Sequence, residues 1–347
     1  MVTIEAQLTF LIPTLNAEGY LPGCLTSIRE QQYPAEAIEL LVIDGGSSDG
    51  TIDVARSFGA RILSNPLRST EAARALGVRL ARGELVVFLD ADNRLVGDDW
   101  LGRMLKAFED PRVVACEPLY WDVEAAGLTV IDRYCALLGM TDPLNLFMGN
   151  YSHYSYLTKR WTDLPIRSIQ REGYLEIQPP GPEDSRAVLP TMGSNGCAFR
   201  RATILDRIEG DYLFHLDFTQ DLWMDSRLRV ARAPIAVAHY YASSFSSFVA
   251  KSRLKVQDFF HFRHTGHRTY PYEALGWIGI VKFVLYSVLI APTLIQAFRG
   301  YLHRRDRAWL LHPILCPVIA FTYGVEAIRV VVGRVGTRPF DREKVRW

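Results

Sequence analysis

The stretch GELVVFLDADNRL, Gly83–Leu95, decides the fold. Four apolar residues, Val86 to Leu89, run straight into Asp90, Ala91, Asp92 and Asn93. A core strand does not tolerate two carboxylates, and a surface loop has no use for the apolar run. The pattern predicts a buried strand whose tip offers oxygen ligands. Hard divalent cations such as Mg²⁺ or Mn²⁺ take carboxylate oxygens and keep positions for water and substrate phosphates. The competing reading is an Asp that caps the next helix.

Working outward, the same rhythm repeats. Leu8–Pro13, Ile38–Asp44, Ala60–Leu63 and Arg112–Pro118 read as strands. Between them lie helical patterns at Tyr20–Gln32, about Thr51–Phe58, Glu71–Arg82 and Asp98–Phe108. Strand–helix alternation with apolar strands predicts an α/β fold, a mainly parallel sheet covered on both faces. Ligands of such sheets collect at the carboxyl ends of the strands. Three polar loops fall there: Pro13-Thr14-Leu15-Asn16, Asp44-Gly45-Gly46-Ser47 and Asp90-Ala91-Asp92. The second lies in VIDGGSSDGT, Val42–Thr51, where two glycines permit a close backbone turn. It is neither GxGxxG nor a Walker A loop, so hydride transfer and ATP hydrolysis lack their signatures.

The chain has 347 residues, 39 Lys+Arg against 38 Asp+Glu. That balance argues against nucleic acid as a partner. Five scattered cysteines without CxxC spacing suggest neither a disulfide framework nor a zinc site, which fits a reducing compartment. The N-terminus lacks the pattern of a signal peptide, so the bulk of the chain is expected in the cytosol. Oligomeric state has no sequence signature here.

The ordered motifs FLIPTLNAEGYLPGCLTSI, LLVIDGGSSDGT, EAARALGVRLARGELVVFLDADN and GSNGCAFRRATI together resemble the family 2 glycosyltransferases of GT-A fold, over roughly residues 8–240. The resemblance implies an inverting, metal-dependent transfer from a nucleotide-sugar donor, a UDP-sugar by preference, with Mn²⁺ or Mg²⁺ as cofactor. It implies that Pro13, Thr14, Asn16, Glu18 and Ser47 line the nucleotide pocket and that Asp44 accepts a hydrogen bond from the base. Arg74 matches the basic residue near the nucleotide. Asp90 would sit near the ribose or the metal-bound water, and Asp92 would bind the metal, with His239 as a further metal or diphosphate contact. The second strand usually ends in two adjacent acids in this family; here the second position is Gly45.

The catalytic base has two candidates. The family's acidic pair is not intact in YLFHLDFTQDLWMDSRL, Tyr212–Leu228. The acid-to-arginine spacing against Arg227 favours Asp221. The expected strand-to-helix junction, and the distance to His239, favour Asp217. A phosphate acceptor is already ionised and would reduce the acid to positioning.

Domain organisation is expected as follows. Residues 1–245 form the GT-A domain, with an irregular acceptor-side insertion or lid at 120–190. Residues 246–270 hold an amphipathic helix, Phe248–Phe262, suited to the headgroup layer, whose Lys251 and Arg253 could hold donor or lipid phosphates. Residues 271–347 carry two apolar membrane helices, about 275–298 and 308–333, each longer than the roughly 20 residues that span a bilayer. The linking arginines, Arg299, Arg304, Arg305 and Arg307, would then lie outside, against the positive-inside rule; a shallow hairpin bent at its prolines would keep them inside. The expected enzyme is attached to the cell membrane with a cytoplasmic catalytic domain, acting on a lipid-linked acceptor such as a polyprenyl phosphate. Transfer to a non-lipid glycan, or glycan binding without turnover, are the alternatives.

Overall fold

The computed structural model describes residues 8–181, 184, 186–208, 210–264 and 268–333. Parts of the expected domains, 1–7, 265–267 and 334–347 among them, lie outside the described residues.

Apart from the unexpected short strand β5, the N-terminal half alternates as expected: β1 Leu8–Thr14, α1 Leu21–Arg29, β2 Ile38–Asp44, α2 Thr51–Ser57, β3 Arg61–Ser64, α3 Thr70–Leu80, β4 Leu85–Phe88, β5 Asn93–Leu95, α4 Trp100–Leu105 and β6 Val113–Trp121. Next come α5 Val130–Leu138, α6 Pro143–Met148, the hairpin β7 Ser168–Arg171 and β8 Tyr174–Ile177, then β9 Cys197–Arg200, α7 Arg201–Leu205, α8 His215–Met224 and β10 Arg229–His239. Four helices end the described chain: α9 Phe245–His264, α10 Ile278–Leu289, α11 Ala291–His303 and α12 His312–Val331.

One mixed sheet runs β3-β2-β1-β4-β9-β6-β10-β8-β7, with β5 paired to β10. It is parallel from β3 to β4, and β9 enters antiparallel between β4 and β6. The strands β1, β2 and β4 are buried almost throughout because helices cover both faces. Parallel register aligns Thr14 with Asp44, and Leu11 with Phe88, so their carboxyl ends share one edge. Helix α3 is held close to this sheet by Gly77. A Cβ there would stand 2.3 Å from Leu11 Cδ1 and 2.5 Å from Ile43 Cδ1, which no packed core accommodates.

Further along, Glu117 of β6 and Arg232 of β10 form a fully buried ion pair at 3.0 Å. Glu117 also accepts from the Gly193 N–H at 2.9 Å and the Ser194 N–H at 3.3 Å, which fixes the loop leading into β9. Burial pushes the Glu117 carboxyl up, and the guanidinium with these two N–H donors holds it back.

Three expectations need correction. The region 120–190 is not simply irregular: it contains α5, α6 and a hairpin that widens the sheet. Helix α5 starts on a reciprocal cap between Thr129 and Asp132 and stops at Gly139, in the left-handed region at φ 73°. The segment before Asp217 is not a strand; Asp217 lies in the first turn of α8. Finally, the first apolar segment is two helices, α10 and α11, bent by 96° at Ile290, where φ is +57°. Pro292, at the start of α11, has no N–H to continue the ladder of α10. Among the described residues one helical stretch, Arg307–Val330, is long and apolar enough to cross a membrane.

Helix α9 does not stand alone. Phe248, Ser252 and Val256, one turn apart in succession, are buried, and α9 packs along α12.

Candidate functional site

The loops after β1 and β2 are stitched to each other. Asp44 Oδ1 accepts from the Thr14 hydroxyl at 3.1 Å and the Ser47 hydroxyl at 2.5 Å. Its Oδ2 accepts from the Gly46 and Ser47 N–H groups, both at 2.8 Å. Four donors fill about as many acceptor positions as a carboxylate offers. The Asn16 N–H donates to Ser47 Oγ, and Asn16 Oδ1 accepts from the Ser48 N–H at 2.9 Å. Glu18 Oε2 accepts from the Gly50 N–H at 3.0 Å. Gly46, at φ +90°, makes the turn. Where the resemblance leads one to expect a second acid, Gly45 donates its N–H to the Thr14 carbonyl at 2.8 Å and receives Arg68 Nε on its own carbonyl at 2.9 Å. Pro13, Thr14, Asn16, Glu18, Asp44 and Ser47 therefore sit together at one sheet edge, largely satisfying one another.

Beyond β4 the chain turns at Asp90, whose carbonyl accepts from the Asn93 N–H at 2.9 Å. Asp90 Oδ1 lies 3.4 Å from Arg74 Nη2, and Arg74 is 4% exposed. The other arm of that guanidinium, Nη1, is 2.9 Å from His215 Nδ1. Burial, then the charges of Arg74 and Arg268, drive the His215 pKa well below the ordinary imidazole range. The ring is therefore neutral, and its Nδ1 accepts from Arg74.

Asp92 meets a different set. Its Oδ1 accepts from Asn93 Nδ2 at 2.8 Å and lies 3.8 Å from His239 Nε2; its Oδ2 lies 4.0 Å from Lys251 Nζ. The pairing of β5 with β10, which sets Asn93 opposite His239, creates this proximity. Burial raises the Asp92 pKa, and Lys251 opposes that rise. Burial lowers the His239 pKa to about 4, so its imidazole is neutral with a lone pair to give. His239 Nδ1 is buried without a hydrogen-bond partner, and the ring is wedged edge-on against Trp121 and Tyr241.

Among the described residues no three His, Cys, Asp or Glu side chains converge to hold a metal by themselves. A carboxylate and a neutral imidazole at 3.8 Å do fit a cation whose remaining positions belong to water and substrate oxygens.

The base candidates diverge. Asp217 Oδ1 accepts from the Tyr270 N–H at 2.8 Å and the Thr269 N–H at 3.1 Å. Burial nevertheless raises its pKa to about 6. Asp221, one turn on, is exposed; burial of part of its carboxyl raises the pKa, against the Arg207 charge. Lys251 and Arg253 part company, as neighbours two apart on a helix must. Lys251 donates to the Tyr241 carbonyl at 2.6 Å beside Asp92, whereas Arg253 lies 3.9 Å from Glu326 on α12. The structure thus brings Lys251, and not Arg253, to the Asp92 group.

Two residues escaped the sequence reading: His215, against Arg74, and Arg68, over the β2 turn. A His two positions before an acid carries no pattern of its own. Arg68, at φ +53°, is placed by a turn that no periodicity reports.

Residues 9–162 match the model of glycosyl transferase family 2. A PGL/p-HBAD biosynthesis glycosyltransferase of Mycobacterium bovis is 39% identical over 104 residues, 28% of this chain and 39% of that protein. Glycosyltransferase AglE of Haloferax volcanii is 33% identical over 88 residues, 24% of this chain and 29% of its own. The chain thus spans well under half the length of these relatives. The mannosyltransferase PcManGT from Pyrobaculum calidifontis, solved in complex with GDP-Man and Mn²⁺, superposes with a TM-score of 0.53 at 17% identity, covering 92% of this chain and 88% of its own. The chain carries, at residues 9–162, a glycosyl transferase family 2 domain on a GT-A-like α/β fold.

Proposed function

We propose that the chain transfers a sugar from a nucleotide-sugar donor, a UDP-sugar by preference, to a lipid-linked acceptor such as a polyprenyl phosphate or a polyprenyl-linked saccharide. The reaction would run at the cytosolic face of the cell membrane with inversion at the anomeric carbon. One observation carries the reading: Asp92 and the neutral His239 face each other at 3.8 Å beside the stitched loops of β1 and β2. The GDP-Man and Mn²⁺ bound by PcManGT support a nucleotide-sugar donor with a divalent cation, though not the choice of uridine, and the PGL biosynthesis naming of the mycobacterial relatives leans toward a lipid product.

Asp92 and His239 would hold Mn²⁺ or Mg²⁺, which neutralises the charge growing on the departing diphosphate. Pro13, Thr14, Asn16, Glu18, Asp44 and Ser47 would enclose the nucleoside, while Arg74 fixes the Asp90 carboxylate that closes the pocket. Lys251 adds a positive charge beside the diphosphate. The bond from anomeric carbon to diphosphate breaks as the acceptor oxygen bonds from the opposite side. For a hydroxyl acceptor, Asp217 takes the proton; Asp221 is the alternative.

A panel of nucleotide sugars, incubated with Mn²⁺ or Mg²⁺ and membrane lipids, tests the reading. It expects transfer or hydrolysis of one donor and its loss in Asp92→Ala. Undiminished turnover in that variant, or none from the wild type with any donor, rejects it.

A further inference from the structure

All exposed large apolar side chains among the described residues, except Tyr20, Leu80, Val130, Ile169 and Phe245, lie between Trp277 and Val332. Helix α10 buries only Gly279, Phe283 and Ser287, against α6, and its open circumference is apolar apart from Lys282. Helix α11 buries Thr293, Ala297 and Gly300 and turns Leu294, Ile295 and Phe298 outward. On α12 and the turn before it, Leu310, Ile314, Phe321 and Ile328 are exposed at spacings that trace one stripe. A helix apolar on nearly every side belongs in lipid or in a core.

The way these helices are held argues against crossing. At 1.5 Å per residue α10, with 12 residues, and α11, with 13, span about 18–20 Å each, short of the roughly 30 Å hydrocarbon layer. Their 96° bend prevents them from adding up. Helix α12 is long enough, but its inner face is tied to neighbouring helices near its start and toward its end. Near its start, His312 Nδ1 meets the Tyr134 hydroxyl at 2.9 Å and Nε2 meets Gln296 at 3.1 Å. Farther on, the Tyr323 hydroxyl donates to Asp142, and Glu326 accepts from Gln257 at 3.0 Å. Tipping α12 through a bilayer would drag α6 and α9, with Asp142, Arg253 and Lys255, into hydrocarbon. Lys282, Arg299, Arg305 and Arg307 are exposed in the same unit, a cationic set that suits anionic headgroups.

We infer that α10, α11 and the outer stripe of α12 lie in the plane of an anionic phospholipid surface, inserted in one leaflet. The inference rests on the reading that the enzyme works at a membrane, and it replaces two crossings by none. Arg299 to Arg307 then stay on the side of the catalytic domain, which removes the conflict with the positive-inside rule. Helix α9, packed on α12, carries Lys251 to within 4.0 Å of Asp92, so the dock stands one helix behind the candidate metal site. A lipid-linked substrate would arrive sideways from the leaflet.

The five native cysteines are buried, which leaves a clean background for labelling. Arg305→Cys and the reference Ser57→Cys on α2 would each be treated with an impermeant maleimide in spheroplasts and in inverted vesicles from an expressing bacterium. Both are expected to label only in inverted vesicles; labelling of Arg305→Cys alone from outside overturns the inference. In flotation, the purified full chain should rise with phosphatidylglycerol-containing vesicles. Val288→Asp/Phe321→Asp should weaken this by at least about tenfold while donor hydrolysis stays unchanged. A wild type that hydrolyses donor but does not float, or whose apolar face instead joins two copies in solution, refutes the dock alone. A wild type that floats but turns over no donor refutes the proposed function alone.

Discussion

Replacing Asp217 by Asn separates chemistry from architecture. Both hydrogen bonds to this side chain, from the N–H groups of Thr269 and Tyr270, end on Oδ1. Asn keeps that oxygen and removes only the charge, so the fold should lose no more than about 1 kcal/mol. Ala strands two N–H donors and should cost about 1–3 kcal/mol. If Asp217 takes the acceptor's proton, kcat/KM for a hydroxyl acceptor should fall about 10²–10⁴-fold in the Asn variant. The pH profile adds a second reading. With its pKa raised to about 6, Asp217 is about one-tenth ionised at pH 5, so wild-type kcat/KM should drop about tenfold per unit below pH 6. That limb should vanish in Asp217→Asn. Stability moves the other way. The folded carboxyl holds a proton that the unfolded chain, near 3.9, releases, so this group makes stability decline as pH rises from about 4 to 6. Asn abolishes the decline. Initial rates from pH 5 to 8 and thermal melts measure both. A loss under about tenfold with an unchanged acid limb refutes Asp217 as the base and hands the role to Asp221.

Three other perturbations follow from the same geometry. Chelation by EDTA should stop donor turnover and Mn²⁺ should restore it, whereas Asp92→Ala should remain more than about a hundredfold slower at any Mn²⁺ concentration; restoration of the variant would contradict the ligand role. Asp44→Ala strands four donors, from Thr14, Gly46 and Ser47, and should cost about 2–4 kcal/mol in chemical denaturation and weaken nucleotide binding by calorimetry. Arg232→Met leaves Glu117 buried with only two backbone N–H donors to offset its charge; a denaturation loss of about 3–5 kcal/mol at pH 8 that shrinks at pH 5, as Glu117 takes a proton, is the expected outcome.

The central strands β1, β2, β4 and β6 were legible because they are largely buried and read as apolar runs, and the helices between them followed from the alternation; the three-residue β5, Asn93–Leu95, was not. The acids at the strand ends were legible because nothing in a core explains them. What escaped depends on contacts between distant segments. His239 approaches Asp92 only because β5 folds back to pair with β10, 142 or more positions later in the chain. His215 meets Arg74 across 141 positions. Helix α5 was hidden behind aromatics and prolines, although its Thr129–Asp132 cap was written locally. The apolar tail misled through length: hydropathy counts residues in line, and one left-handed residue, Ile290, breaks the line.

The interlocked turns after β1 and β2 have a thermodynamic consequence. Asn16, Glu18, Asp44 and Ser47 are already engaged before any ligand arrives, so the pocket is a stiff template. Ordering a floppy loop of this size would take about 1–2 kcal/mol per residue from the affinity. A template avoids that penalty, and it also loses the ability to remodel itself around a wrong base. Discrimination among nucleosides must then come from shape and from atoms that fail to meet, with a small entropy of association and little change in the turns themselves.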